Sequence, residues 1–294
     1  MYEIRHQSKG IVSHGVSTCA GCALELIVRK VTEVLGENTI VVIPPGCAAS
    51  FAGVGNRTAL KIPGFLCNLE NSAAFAAGIR AALNIKENYK TTVLVLAGDG
   101  ATVDIGIQSL SGAIERNDKI LYICYDNEAY MNTGIQRSGS TPMYASTTTT
   151  PKGKTRDRKD ILQIAIAHKI PYAASASVHN IRDLQRKILK AMKTEGTSLI
   201  HIQSPCPTGW GYDPSKTIEM ARLAVQTGCW ILYEYEGGKT TINYKPKKLR
   251  PLKEYLNMQD RFKNLSEQQI EELQTRVIKR FSEITGESPE VKIN

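Results

Sequence analysis

The first two thirds of the chain alternate short apolar, β-branched runs with longer stretches of helical period. That is the pattern of a parallel sheet covered on both faces. Thr39–Ile43 (TIVVI), residues 91–97 (TTVLVLA), residues 119–125 (KILYICY) and Ser198–Gln203 (SLIHIQ) each read as a buried strand. Between them, residues 72–83 (SAAFAAGIRAAL) are rich in small helix formers and predict a closely packed helix. Helical pattern recurs over 104–115, 160–168 and 181–192. The expected fold is a doubly wound α/β domain.

Two stretches depart from this alternation. Residues 131–159 are dominated by Gly, Ser, Thr and Pro and end in mixed charge, and a loop of that length in a compact domain is either functional or disordered. After Cys206 the alternation stops. Residues 214–226 predict a helix, 230–236 and 239–244 a hairpin across Gly237-Gly238, and 265–284 an amphipathic helix, with a basic, proline-punctuated stretch between. The organisation expected is an α/β domain over residues 1–212 and an extension over 213–294. So short an extension offers little core of its own, and it reads as an arm lying over a neighbouring subunit. No internal repeat is visible.

Composition narrows the class without choosing a function. The 294 residues are 42% apolar and 22% charged, ordinary for a globular chain and unlike a disordered or collagenous one. A formal charge of +9 fits an anionic partner or ligand. Nothing resembles a nucleic-acid module, and with only 6% aromatic residues a base-stacking platform is not expected. The longest uncharged stretch, residues 38–56, carries Pro44, Pro45, Gly46, Gly53 and Gly55, so no membrane span is expected. No charged-then-apolar leader opens the sequence, which predicts an intracellular protein without a disulfide framework. Its seven cysteines need another reason.

Candidate chemistry gathers in three places. Gly98-Asp99-Gly100 ends a predicted strand and opens onto a helix. There, glycines let backbone N–H groups approach a phosphate and the carboxylate can hold a hard divalent cation. Asp126-Asn127-Glu128-Ala129 follows the next strand, and consecutive parallel strands bring their carboxyl ends to one edge. Asp99 and Asn127 can therefore face one Mg2+ on a diphosphate; the plainer reading is that Asn127 caps a turn. The third place is the set Cys19, Cys22, Cys47 and Cys206, all in turn-like sequence. Four thiolates suit a [4Fe-4S] cluster or a structural Zn2+, and Cys19-Ala20-Gly21-Cys22 alone could be a redox dithiol.

Gly-Asp-Gly with an Asn 28 positions after its Asp resembles the diphosphate-binding motif of thiamine-diphosphate enzymes. That resemblance implies Asp99, the Asn127 side chain and the Ala129 carbonyl as Mg2+ ligands, with Gly98, Gly100, Ala101 and Thr102 lining the diphosphate. The segment from Tyr130 to Pro142 (YMNTGIQRSGSTP) is similar to a patterned segment of the 2-oxoacid:ferredoxin oxidoreductases. In that family the Asn matching Asn132 lies beside the thiazolium and substrate, which makes Asn132 the candidate catalytic residue and adds Thr133 to the cofactor contacts. The diphosphate-binding subunit of the family also carries a cluster on a CxxC, a third Cys at this spacing and a late Cys-Pro-Thr-Gly-Trp, and each has a match here.

The resemblance thus implies a β subunit, most like those of pyruvate:ferredoxin oxidoreductase. The reaction would be oxidative decarboxylation of pyruvate to acetyl-CoA and CO2, with single electrons leaving through [4Fe-4S] to ferredoxin. Other 2-oxoacids remain as alternatives (branched-chain, indolepyruvate, 2-oxoglutarate, or oxalate without coenzyme A). So does a non-redox thiamine enzyme with structural zinc. The implied partners are an α subunit binding the aminopyrimidine, a γ subunit and a ferredoxin-like δ subunit, separate or fused. Without them the subunit should be inactive, and an oxygen-sensitive cluster implies an anaerobic or low-oxygen cytoplasm.

The family match has two departures: Ala23 stands after the CxxC where Gly is frequent, and Asn127 where single-chain pyruvate enzymes carry Thr. Cys67, Cys124 and Cys229 read as core thiols. His14 reads as a turn residue, and His6, His168, His179 and His201 carry no spacing signal. The basic cluster Lys152, Lys154, Arg156, Arg158 and Lys159 is either a contact for coenzyme A phosphates or an acidic partner, or a solvated loop.

Overall fold

The computed structural model describes residues 10–53 and 58–292; His6 and Asn56 lie outside them. The strands are β1 (Thr39–Ile43), β2 (Gly64–Leu66), β3 (Thr92–Gly98), β4 (Leu121–Asp126), β5 (Tyr172–Ser177), β6 (Ser198–Gln203), β7 (Tyr233–Glu236) and β8 (Lys239–Ile242). They form one sheet in the order β2-β1-β3-β4-β6-β5-β7-β8. β1 to β6 run parallel, and β7 and β8 add an antiparallel edge.

The helices are α1 (Ala23–Leu35), α2 (Ala49–Ala52), α3 (Ser72–Ile85), α4 (Ile107–Glu115), α5 (Ile161–Ala167), α6 (Ile181–Lys193), α7 (Pro207–Trp210), α8 (Thr217–Gln226), α9 (Leu252–Leu256) and α10 (Glu267–Thr285). Strand side chains alternate between two layers, as the pleat requires. Val41, Leu94, Leu96 and Ile123 share one core with Leu24 and Ile27 of α1 and Leu184 and Ile188 of α6. Val42, Val93, Val95 and Tyr122 share the other with Ala73 and Ala76 of α3, Leu110 of α4 and Leu162 of α5. The small residues of α3 do face the core at Ala73 and Ala76, whereas Phe75 is exposed.

Among the charged residues buried in this packing, one lies deepest on α6. Lys187 on α6 has no exposed surface; its Nζ lies 2.6 Å from Asp183 Oδ2 and donates to the Ser175 carbonyl at 2.8 Å. Burial pushes its ammonium down to about 8, against the pull of Asp183.

Residues 131–159 hold no long element but are folded in. Ser138, Ser140, Thr141 and Ala145 are buried, and Lys154 Nζ donates to the carbonyls of Thr141 at 2.6 Å and Gly139 at 3.0 Å. The segment after residue 212 runs back over its own chain. Ile231, Tyr233, Leu249 and Phe281 join the core beneath α5. A third apolar cluster unites Trp210, Met220, Trp230, Leu252, Tyr255, Phe262 and Leu273. The inner face of this segment is thus core, and any contact with a neighbouring subunit falls to its outer face.

Candidate functional site

Adjacent strands β1, β3, β4 and β6 end on the same edge of the sheet, and the turns that follow them carry Cys47, Asp99, Asn127 and Cys206. The strand order reverses between β1 and β3, and parallel sheets open a crevice at such a point.

β3 runs through Asp99 into a π-helical turn, Gly100–Asp104, of the kind that recurs at functional sites. Asp99 is buried, and its Oδ2 accepts from Ser138 Oγ at 2.5 Å. Burial raises its carboxyl well above the usual range and the Asp126 charge adds to this, while the Ser138 bond opposes it. One end of the Asn127 amide lies 2.9 Å from the Ala129 carbonyl oxygen and 3.0 Å from Asp99 Oδ1. With its nitrogen turned inward the amide donates to both oxygens. Turned the other way, it completes three converging oxygens, a donor set that fits Mg2+. The other end of the same amide lies 3.8 Å from Cys47 Sγ.

The remaining candidates on this side divide. Gly98 is half-buried, and Gly100, Ala101 and Thr102 are buried. Thr102 Oγ1 donates to the Gly98 carbonyl at 2.7 Å, so that proton is spent within the turn. A Cβ at Gly100 would come within 2.3 Å of the Tyr130 ring, so a side chain there would have to displace that ring. Asn132 and Thr133 stand exposed on the loop that follows.

The cysteine side is assembled from distant parts of the chain. Cys22 precedes α1, and the CxxC turn is seated on the C-terminal segment, where Thr217 Oγ1 donates to the Gly21 carbonyl at 2.6 Å. Cys206 precedes α7, and its Sγ accepts from Gly209 N at 3.3 Å. The thiols are close enough to feel one another. Burial pushes Cys47 up to about 12, helped by the charges of Cys206, Cys22 and Cys19. Burial likewise lifts Cys206 to about 11, with Cys22 and Cys19 contributing, and raises Cys22. Four thiols without a carboxylate fit an iron–sulfur cluster or zinc, and either would displace protons on binding. Among the described residues no three side chains of His, Cys, Asp or Glu close on a single metal-ion position.

Behind Asn127 lies a buried ionic network that sequence spacing did not reveal. Arg158 Nη2 meets Asp126 Oδ2 at 2.6 Å and its Nη1 meets Glu128 Oε1 at 2.9 Å. His201 Nε2 lies 2.7 Å from Asp126 Oδ2, and Arg261 Nη2 lies 2.6 Å from Glu128 Oε2. Burial alone would raise Asp126, but Arg158 and His201 outweigh it and hold the carboxyl below the usual range. One signal for His201 was legible: a polar residue in the middle of the apolar run SLIHIQ. Arg261 had none, since its partner stands 133 positions away.

The basic cluster expected as a possible anion site is largely spent inside the fold. Lys154 and Arg158 make the contacts above, and Lys159 Nζ reaches Asp104 Oδ1 at 2.8 Å. Lys152 and Arg156 alone of the five are both exposed and outside these contacts. His14 is exposed; Cys67 and Cys124 are buried, and Cys229 is half-buried. Among the described residues no helix is long and apolar enough to cross a membrane.

The fold and this strand edge define a thiamine pyrophosphate-binding domain. Residues 45–202 match the family model described as thiamine pyrophosphate enzyme, C-terminal TPP binding domain. Pyruvate synthase subunit PorB of Methanothermobacter thermautotrophicus is 49% identical over 264 residues, covering 88% of this chain and 92% of that one. Ketoisovalerate oxidoreductase subunit VorB of Pyrococcus abyssi is 47% identical over 282 residues, covering 92% and 91%. The 2-oxoglutarate:ferredoxin oxidoreductase of Magnetococcus marinus, solved with 2-oxoglutarate, coenzyme A and succinyl-CoA bound, shares the fold with a TM-score of 0.62 at 20% identity. The match covers 92% of this chain and 96% of that one. The chain belongs to the PorB/VorB family of 2-oxoacid:ferredoxin oxidoreductase β subunits. It is one subunit of a multisubunit oxidoreductase acting on 2-oxoacids.

Proposed function

We propose that this subunit holds Mg2+ through Asp99, Asn127 and the Ala129 carbonyl, and a [4Fe-4S] cluster through Cys19, Cys22, Cys47 and Cys206. When bound, thiamine diphosphate supplies the carbanion chemistry of decarboxylation and the cluster a one-electron exit. Asp99, fixed by Ser138, would present its free oxygen to the cation that anchors the diphosphate. Asn127 would turn its amide oxygen inward, and the turn Gly98, Gly100, Ala101 and Thr102 would lie along the diphosphate. Asn132 and Thr133, exposed on this chain, would meet the reacting end of the cofactor under cover of the α subunit. The observation that carries the reading is the Asn127 amide, with two oxygens within 3.0 Å of one end and Cys47 Sγ at 3.8 Å from the other.

The proposed reaction is oxidative decarboxylation of pyruvate with coenzyme A and ferredoxin, in a complex with α, γ and ferredoxin-like δ subunits in an oxygen-poor cytoplasm. A branched-chain 2-oxoacid is the second reading, because the ketoisovalerate subunit is nearly as similar as the pyruvate one. The test is anaerobic purification with the partner subunits, followed by iron, sulfide and zinc analysis. Viologen or ferredoxin reduction is then measured on a panel of 2-oxoacids with and without coenzyme A. One zinc and no sulfide would overturn the cluster. Asp99→Ala should abolish turnover with iron content unchanged, and full activity in that variant would overturn the cation site.

A further inference from the structure

Trp210, at the end of α7, is fully buried, and its indole N–H donates to the Asn127 carbonyl oxygen at 2.8 Å. The same short helix opens on Cys206. Arg261, from the C-terminal segment, stacks on the indole with its guanidinium carbon 4.0 Å from the ring centre. Its Nη2 also grips Glu128, the residue after Asn127. Glu128 has a φ of +68°, left-handed backbone that a glutamate keeps only where its surroundings hold it. Arg158 holds the second Glu128 oxygen. The peptide of Asn127 is therefore fixed by an indole that also belongs to the Cys206 turn, and both are braced by one arginine.

We propose that Trp210 is a positioning residue that couples the cation-facing loop at Asn127 to the Cys206 turn. Loading of Mg2+–thiamine diphosphate is thereby sensed at the cluster. The inference rests on the function proposed above. Trp210 touches neither cofactor; it acts through the Asn127 peptide on one side and α7 on the other. Movement of either end changes the same hydrogen bond, and a binding coupling of this kind is reciprocal. Cys47 reaches the Asn127 side chain, whereas Trp210 reaches its backbone, so removing the indole N–H leaves the Cys47 contact in place.

The test is Trp210→Phe in the anaerobically assembled complex, which keeps an aromatic face beneath Arg261 and removes the N–H donor. Iron and sulfide content should match wild type. Equilibrium dialysis should show the Mg2+–thiamine diphosphate dissociation constant raised about fivefold, the weight of one buried hydrogen bond. The electron paramagnetic resonance spectrum of the dithionite-reduced cluster should change when Mg2+–thiamine diphosphate is added to wild type, and change less in the variant. Wild-type affinity with an undiminished spectral change in the variant overturns the coupling, as does a wild-type spectrum that ignores the cofactor. If the phenylalanine variant does not assemble, Arg261→Lys keeps the charge, loses the planar stack and is read by the same two measurements. A wild-type complex without iron or thiamine binding refutes the proposed function itself; a loaded wild type with unaffected variants refutes only the coupling.

Discussion

Replacing Ser138 with Ala removes a single hydroxyl, and the structure says what that hydroxyl does. Ser138 Oγ donates to Asp99 Oδ2 at 2.5 Å and is itself oriented by the Ser140 N–H at 3.2 Å. All three residues are buried, so no water stands ready to replace the lost donor. A hydrogen bond to a charged acceptor is worth about 1.5–3 kcal/mol, which is roughly 10- to 150-fold in a binding constant. Removing outer partners of metal ligands typically costs about 10–100-fold, the same range. The backbone should stay in place, because Lys154 holds the carbonyls of Gly139 and Thr141, and Thr141 Oγ1 bonds the Glu128 carbonyl at 2.6 Å. The expected outcome is a Mg2+ requirement for thiamine diphosphate binding raised about 10- to 100-fold, with iron content unaltered. The assay is a Mg2+ titration of cofactor binding on the assembled complex, with iron measured on the same preparation. An unchanged Mg2+ requirement would refute the assignment of Asp99. Loss of iron in parallel would instead show that the hydroxyl holds the whole loop rather than one carboxylate.

Two further perturbations probe parts of the fold outside that contact. Gly21 has a φ of +68°, and a Cβ there would sit 2.3 Å from the Pro214 carbonyl oxygen, so Gly21→Ala must shift the CxxC turn; iron per chain should fall, and a full complement would contradict the proposed role of Cys19 and Cys22. The Lys187 ammonium is pushed down to about 8, below its ordinary value of 10.5. Between those values the unfolded chain holds a proton that the folded chain has released, so stability rises with pH in that window, by about 2 kcal/mol up to pH 9.5. Lys187→Met should remove the rise, and Asp183 still keeps one cationic partner, Arg186 at 2.9 Å. Parallel profiles of denaturation midpoint against pH for the two proteins would count against it.

The sheet was legible wherever a strand is a continuous β-branched run. β1, β3, β4 and β6 follow from TIVVI, TVLVLA, LYIC and SLIHIQ because both faces of a central parallel strand are apolar. β5 reads YAASAS, after Tyr172 only small residues of weak strand preference, and its place comes from pairing with β6 and β7 rather than from propensity. The loop over 131–159 announced itself by length, but not that Ser138 bonds Asp99 or that Arg158 bridges Asp126 and Glu128. Those contacts join residues 39 and 30–32 positions apart across a turn that has no period to read. The residues proposed as ligands stood out for a different reason: their chemistry is carried by residue type within short local motifs, Gly98-Asp99-Gly100, Cys19-Ala20-Gly21-Cys22 and the turn at Cys206, however far apart the motifs lie. The C-terminal hairpin was visible in its Gly237-Gly238 turn, while its docking on β5 was not, since the sequence of an edge strand does not say which edge it joins.

Why the two proposed sites lie together follows from topology. Neighbouring strands stand about 4.8 Å apart, so the ends of β1, β3, β4 and β6 span roughly 15 Å. Each strand end supplies chemical groups of its own: a thiol from β1, a carboxylate from β3, an amide and a carbonyl from β4, a thiol from β6. The CxxC pair comes from the stretch before α1 and is pinned to this edge by Gly21 and Thr217. A cation held by Asp99 and Asn127 would therefore share a wall with the thiols, and that wall is the Asn127 amide. With both proposed sites loaded, the fold would need no mobile element to bring an electron donor to an acceptor. It would need the turn after β4 held still, and the salt bridges of Arg158 and Arg261, with Trp210 beneath Arg261, hold it. Breaking a buried pair costs about 3–5 kcal/mol because it strands a charge, so a turn anchored by two such arginines has few alternative positions. On this reasoning the ionic network serves the geometry between the two sites more than the stability of the chain.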